Sequence, residues 1–246
     1  MNRVLYQIGG ADRRSFLQGL ITNDMAALDG GALYAALLSP QGKYLADFFV
    51  IDRGDHYLLD VAEDIAAPLV QRLSMYRLRA DVAIEPSDLA VSRGRGAMPA
   101  GAVVDPRHPA LGWRHYAQAP APGTDDGWDA IRVAHCIPES GIELIPNETY
   151  ILEAGFDRLN GLDFRKGCYV GQEVTARMKH KTELRKGFVT VEIDGAAPVG
   201  SAITAEGKPA GTLFTQADGR AIAYLRFDRA KGEMTAGDAS LRWIEG

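Results

Sequence analysis

Apolar side chains recur with a helical period early in the chain. In GADRRSFLQGLITNDMAALDGG, residues 10–31, Phe16, Leu17, Leu20 and Ile21 form one stripe. Asp12 stands where a helix N-cap belongs, and Gly30-Gly31 where the element ends. The pattern then changes. ALYAALLSPQGKYLADFFVIDRGDHYLLDVA, residues 32–62, contains three apolar runs split by SPQG (39–42) and DRGD (52–55), so it reads as a three-stranded meander. A helical period returns from Ala67 to Leu78, with Leu69, Leu73 and Tyr76 on one face and Pro68 expected in the first turn. RADVAIEP, residues 79–86, reads as a strand halted by Pro86.

Residues 86–125 are irregular, with strand-like fragments LAVSRG, GAVVD and GWRHYA. APAPGTDDG, residues 119–127, is a loop. WDAIRVAHC is helical, with Trp128, Ile131 and His135 on a shared face, and TYILEAGFDRL is a further helix or turn. After Lys186, GFVTVEID, SAITAEG, PAGTLFTQ, AIAYLRF and ASLRWIE are short strands with Gly-rich turns, the pattern of a small antiparallel barrel or sandwich. The fold class is therefore α+β, with an all-β C-terminal module.

Composition narrows the function classes. The chain has 246 residues, 24% of them charged, and a net charge of −5. That balance suits a globular protein and offers no general attraction to nucleic acid or membranes. No apolar stretch is long enough for a signal peptide or a membrane span, and Cys136 and Cys168 lie outside any CxxC. The expectation is a reducing, cytoplasmic setting. The histidines show no metal spacing, so no stably bound metal is expected.

The chemistry gathers in KGCYVGQEVTAR, residues 166–177. Val170, Val174 and Met178 recur at helical spacing, so a helix is expected from Tyr169 to His180, with Cys168 at or just before its start. Gly167 and Gly171 free the backbone there. Helix N–H groups and the nearby cations Arg165, Lys166, Arg177, Lys179, Lys181, Arg185 and Lys186 would favour a thiolate and an anionic ligand. The plainer readings are a packed cysteine and a solvated basic face. Cys136 is read as a packing residue.

KGCYVGQEVTAR resembles the signature of the YgfZ-type folate-binding family, relatives of the glycine-cleavage T-protein. Lys166, Gly167, Cys168, Tyr169, Gly171, Gln172, Glu173 and Arg177 all fit it. SFLQGLITND (15–24), LLSPQGKYLADFFV, YRLRADV (76–82) and IPNETYILEAG have counterparts too, so the resemblance spans nearly the whole chain. It implies a T-protein-like (aminomethyltransferase) fold: a split N-terminal domain in 1–48 and 112–184, a ferredoxin-like insert in 49–111, and a C-terminal β-barrel in 185–246. It also implies a monomeric folate-binding accessory protein, not a conventional enzyme. Such a protein would support maturation or repair of iron–sulfur proteins through transient contact with carriers or clients, with Cys168 as the functional thiol or a transient cluster ligand.

For tetrahydrofolate or a related folate, the resemblance points to Asp47, Tyr34, Tyr57, Asn23, Asp24 and Arg79. Plainer roles exist for each: sheet packing for the tyrosines, a strand's open face for Asp47, helix capping for Asn23 and Asp24, and helix closure for Arg79. T-proteins show an acidic pair where this chain has Ala46-Asp47, and an Arg where it has Ile151. Those departures set the alternative, a tetrahydrofolate-dependent aminomethyltransferase or methyltransferase using Asp47, behind the accessory role. Thiol catalysis by Cys168, such as sulfur transfer, ranks third.

Overall fold

A computed structural model describes every residue except 1, 29–30, 122, 124–126, 182 and 245–246. Gly30 and part of the 119–127 loop therefore lie outside the described residues.

The N-terminal body is built on a five-stranded antiparallel sheet in the order β2-β3-β4-β1-β5. Its strands are β1 (Arg3–Gly9), β2 (Ala32–Leu38), β3 (Tyr44–Asp52), β4 (Tyr57–Ala62) and β5 (Ala83–Ser87). Both faces are covered, which is why β3 reads as an almost unbroken apolar run. Ala46, Phe48 and Val50 face one core, with α1 (Arg13–Gln18) and α2 (Glu63–Arg77). Phe49 and Ile51 face the other, where Trp128, Ile137, Leu144, Ile151 and Phe156 cover the sheet.

A three-stranded sheet, β6-β8-β7, follows: β6 (Ala90–Gly94), β7 (Val103–Val104) and β8 (Trp113–Ala117). Charge joins it to the first sheet. Asp60 on β4 is fully buried and accepts from Arg3 Nε (2.6 Å), Arg114 Nη2 (2.5 Å) and Tyr116 Oη (2.9 Å). Asp105 accepts from Arg107 Nη2 (2.9 Å) and Arg114 Nη1 (3.2 Å). Burial works to raise the Asp105 carboxyl, but Arg107 and Arg114 overcome it and hold it at about 2.

The C-terminal module is a closed barrel, β10-β11-β12-β9-β14-β13. Its strands are β9 (Lys186–Asp194), β10 (Ala202–Ala205), β11 (Lys208–Ala217), β12 (Arg220–Arg226), β13 (Glu233–Ala236) and β14 (Ala239–Arg242). α3 (Trp128–Ala134) leans on it. Arg132 of α3 and Thr215 of β11 (2.5 Å, Oγ1 to Oε1) both donate to buried Glu143, tying barrel to body.

Several elements differ from the sequence reading. β1 lies between β4 and β5 although its residues, RVLYQIG, show no clean alternation, because both of its faces are partly covered. β13 was also unread. α1 is short, and Asp12 makes no side-chain cap; its Oδ2 accepts from Asp81 N (2.8 Å) instead. α2 starts at Glu63, so Pro68 falls beyond the first turn. β5 continues through Pro86, which an edge strand tolerates because one row of its N–H groups faces away from the ladder. α3 ends before His135. The expected boundary at residues 48/49 falls inside β3, whose ladders to β2 and β4 run through it.

Candidate functional site

α4 (Gln172–Lys181) begins three residues later than expected, so Cys168 precedes it by four residues and is not held at its N-terminus. The thiol is exposed on the loop between residues 163 and 171, whereas Cys136 is buried. Burial pushes the Cys136 thiol up to about 11, which makes it a poor nucleophile.

The loop is bolted down by its neighbour in the motif. Lys166, only 6% exposed, donates from Nζ to Gln18 O (2.7 Å) and Ile21 O (2.5 Å). These carbonyls lie at and just past the end of α1, where a cation is favoured. Burial pulls the ammonium down to about 8, against the attraction of Asp24 and Asp163. The same segment holds the loop's upstream end. Thr22 Oγ1 donates to Gly161 O (2.6 Å), Asn23 Nδ2 donates to Asn160 O (2.7 Å), and Asp163 N donates to Thr22 O (3.2 Å). Two stretches about 140 positions apart, residues 15–24 and 166–177, thus form one unit.

The downstream end rests on the SPQG turn. Gly171 has φ +84°, and a Cβ there would sit 2.6 Å from Ser39 O. Only glycine fits both the backbone and the close approach. Gly167 has no such duty, since a Cβ there meets nothing within 4 Å. Tyr169 N donates to Gln172 Oε1 (3.2 Å), and the Tyr169 ring lies 5.1 Å from Lys166 Nζ.

The basic run does not converge on one anion. Arg177 pairs with Glu173 (2.8 Å), Lys179 with Asp157 (3.2 Å) and Lys186 with Glu153 (3.8 Å). Arg165 is exposed beside the loop and Arg185 is exposed before β9; the Lys181 side chain lies outside the described residues.

The residues expected to hold a folate divide between places. Asp47 is 3% exposed and accepts from Tyr34 Oη (3.0 Å), Tyr44 Oη (2.6 Å) and Ser140 Oγ. Burial, then the Asp47 charge, raise both tyrosines well above their ordinary value. Tyr57 is on the other face: Tyr34 pairs with Phe49, Phe49 with Asp60, and Tyr57 lies an odd number of positions from Asp60. It packs with the α1 and α2 core. Asn23 Nδ2 also donates to Tyr34 O (2.9 Å), and Asp24 Oδ1 accepts from Ala26 N (2.8 Å), capping the short 3-10 turn at Met25–Leu28. Arg79 is exposed past the end of α2.

Asp47 lines none of the described cavities. Asn23 and Tyr34 do line one of about 670 Å³, with Leu33, Asn160, Phe164 and Arg165. It opens beside the Cys168 loop.

Against known proteins, residues 185–245 match the family model described as the CAF17 C-terminal beta-barrel domain. The match covers the barrel. The chain is 32% identical over 222 residues to a Mycosarcoma maydis protein described as "Iron-sulfur cluster assembly factor IBA57 homolog, mitochondrial", covering 76% of this chain and 55% of that protein. It is 29% identical over 278 aligned residues to the Mus musculus "Iron-sulfur cluster assembly factor IBA57, mitochondrial", covering 94% of this chain and 78% of that one. It thus spans about half the length of the fungal relative. Among solved structures, the glycine cleavage system aminomethyltransferase T from Bartonella henselae superposes with a TM-score of 0.77 at 13% identity, over 98% of this chain and 83% of that chain. The fold is T-protein-like, and that comparison speaks to fold alone.

Two groups of partners escaped the sequence reading. Tyr44 and Ser140 complete the Asp47 cluster, and Gln18 and Ile21 hold Lys166 through backbone carbonyls. Tyr44 stands three residues before Asp47, a spacing that in a regular strand sends the two side chains to opposite faces; a bulge at Leu45 brings them together, and nothing in the sequence marked it. Carbonyl acceptors leave no residue-type signal at all.

Proposed function

We propose that this chain assists the maturation or repair of iron–sulfur proteins and that Cys168 is its working thiol. The observation that carries the reading is an exposed cysteine on a loop held at both ends, by Lys166 and by Gly171. A fixed, accessible thiol suits contact with a cluster in another protein. Among the described residues no group of three or more His, Cys, Asp or Glu could hold a metal. A cluster normally needs several thiolates, so Cys168 would supply one ligand and a transient carrier or client protein the rest. The relatives described as iron–sulfur cluster assembly factors support this role. The test is anaerobic transfer from a cluster-loaded carrier to an apo-ferredoxin, followed by circular dichroism. Wild type and Cys168→Ser should differ while Cys136→Ser matches wild type; equal transfer by Cys168→Ser would overturn the reading.

A folate is the second part of the reading, and one observation moves its place. Asp47 already accepts three hydroxyls and is shut away from the described cavities, so it does not fit a pterin anchor. The cavity of about 670 Å³ fits better: Leu33 and Phe164 offer apolar walls, Asn23 and Asn160 polar edges, and Arg165 a cation at the mouth. Calorimetric titration with tetrahydrofolate tests it. Binding weakened by Phe164→Ala and Arg165→Gln supports this cavity, and binding lost only in Asp47→Asn refutes it. The closed Asp47 cluster and the buried Ile151 give aminomethyl transfer no support.

A further inference from the structure

The α2 side of the five-stranded sheet carries a cavity that neither the Cys168 loop nor the Asp47 cluster uses. It holds about 470 Å³ and lies between α2 and the loop at Pro146-Asn147. Leu37 of β2 and Ala46 of β3 form its floor, and both belong to the core that α1 and α2 cover.

The strand is shaped toward it. Leu37 pairs with Ala46 and Leu38 with Tyr44, so Leu45 is an extra residue in β3. In a regular strand Leu45 and Ala46 would point to opposite faces. The bulge sends both to the α2 side, where Leu45 becomes a cavity wall. From the helix, Met75 lines the same space and is 69% exposed. The chain itself thus leaves apolar surface there for a ligand to bury.

The polar groups stand at the ends. Arg72 and Asp64 of α2 both line the cavity, and among the described residues neither makes an ion pair. They are two turns apart, about 12 Å along the helix axis. Among the described residues Asp64 is the one acid of the lining, so the Arg72 end is positive. Pro68, between them, has no N–H for the carbonyl of Asp64, which adds an acceptor at the far end. An apolar trough with an uncommitted guanidinium at one end is a recognition site for a carboxylate on an apolar body.

We propose that this cavity binds a small amphiphilic carboxylate, its apolar body between Leu45 and Met75 and its carboxylate on Arg72. The inference rests on neither the iron–sulfur nor the folate reading and survives the failure of both.

The experiment is isothermal titration of the full chain with octanoate below its micelle concentration and, separately, with octan-1-ol and octyltrimethylammonium at the same ionic strength. Saturable binding of octanoate to one site is expected, about tenfold tighter than octan-1-ol, the worth of one charge-assisted hydrogen bond, with octyltrimethylammonium weakest. Arg72→Gln should bring octanoate to the level of octan-1-ol. Gln71→Trp, an exposed change on the same wall, should fill the cavity and abolish binding of both. Arg220→Gln on the barrel should change nothing. Far-ultraviolet circular dichroism of both cavity variants should match wild type, and Arg72→Gln alone decides if Gln71→Trp does not. The methyl resonances of Leu45 and Met75 should shift during the titration. No saturable binding of octanoate, equal affinity for octan-1-ol, binding indifferent to Arg72→Gln, or shifts confined to methyls elsewhere would each overturn the proposal.

Discussion

Asp60→Asn is a strong perturbation of the join between the two N-terminal sheets. The carboxylate is fully buried and takes one bond from Arg3, two from Arg114 at 3.1 and 2.5 Å, and one from Tyr116 at 2.9 Å. Burial alone would raise its pKa, yet Arg114 and Arg3 hold it below the usual carboxylate range, so it is ionised in the fold. An amide keeps the shape but removes the charge and turns an N–H₂ toward one of the donors. Of its carboxylate partners Arg114 would keep only Asp105, at 3.2 Å, beside its neutral contact to Tyr116 Oη at 2.9 Å. Breaking one side of a buried pair costs about 3–5 kcal/mol, because the remaining charge stays buried without compensation. For a chain of this length each kcal/mol moves the melting temperature by about 2–4 °C, so a fall of roughly 6–20 °C is expected. Urea unfolding read by far-ultraviolet circular dichroism and by tryptophan fluorescence measures it. Adding Arg114→Met should recover part of the loss, since the orphaned charge goes with it. A loss below about 1 kcal/mol for Asp60→Asn, or strict additivity with Arg114→Met, would mean that Asp60 and Arg114 are not an energetically coupled buried pair.

Burial holds the Lys166 ammonium at about 8 against the usual 10.5, so between those values the folded chain binds fewer protons than the unfolded one. Wild-type stability should therefore rise relative to Lys166→Met by about 2–3 kcal/mol as pH climbs through that window; parallel urea midpoints would contradict it. Gly171→Ala should cost about 2–4 kcal/mol, from the positive φ and the approach to Ser39 O, and hydrogen exchange should show Tyr169 to Thr175 loosening first. Asp47→Asn should lose about 1–3 kcal/mol in urea unfolding, because its N–H₂ meets hydroxyls that now donate to the carboxylate.

The parts of the fold that were legible share a cause. β2 to β4 are bounded by turn residues, and the barrel strands by glycines, so local chemistry marked their ends. β1 was missed because burial on both faces erased its alternation, and Pro86 misled because edge placement is a property of the sheet, not of the strand. At the site, residue types pointed to Cys168, Lys166 and Gly171 as a group, and the structure brings them together on one loop. Strand parity separated Tyr57 from Tyr34: a one-residue difference in register sends a side chain to the other face, and no composition reveals it. The cations after Cys168 were legible as a run, but their neutralisation by Asp157 and Glu153 depends on contacts between distant segments.

Cys168 is proposed as the thiol through which this chain would serve iron–sulfur proteins. The most direct test of that role is the activity of iron–sulfur enzymes in cells lacking the chain and supplied with wild type, Cys168→Ser or Cys136→Ser, at matched protein levels. Wild type and Cys136→Ser should restore activity and Cys168→Ser should not. Full restoration by Cys168→Ser would rule out a working role for that thiol.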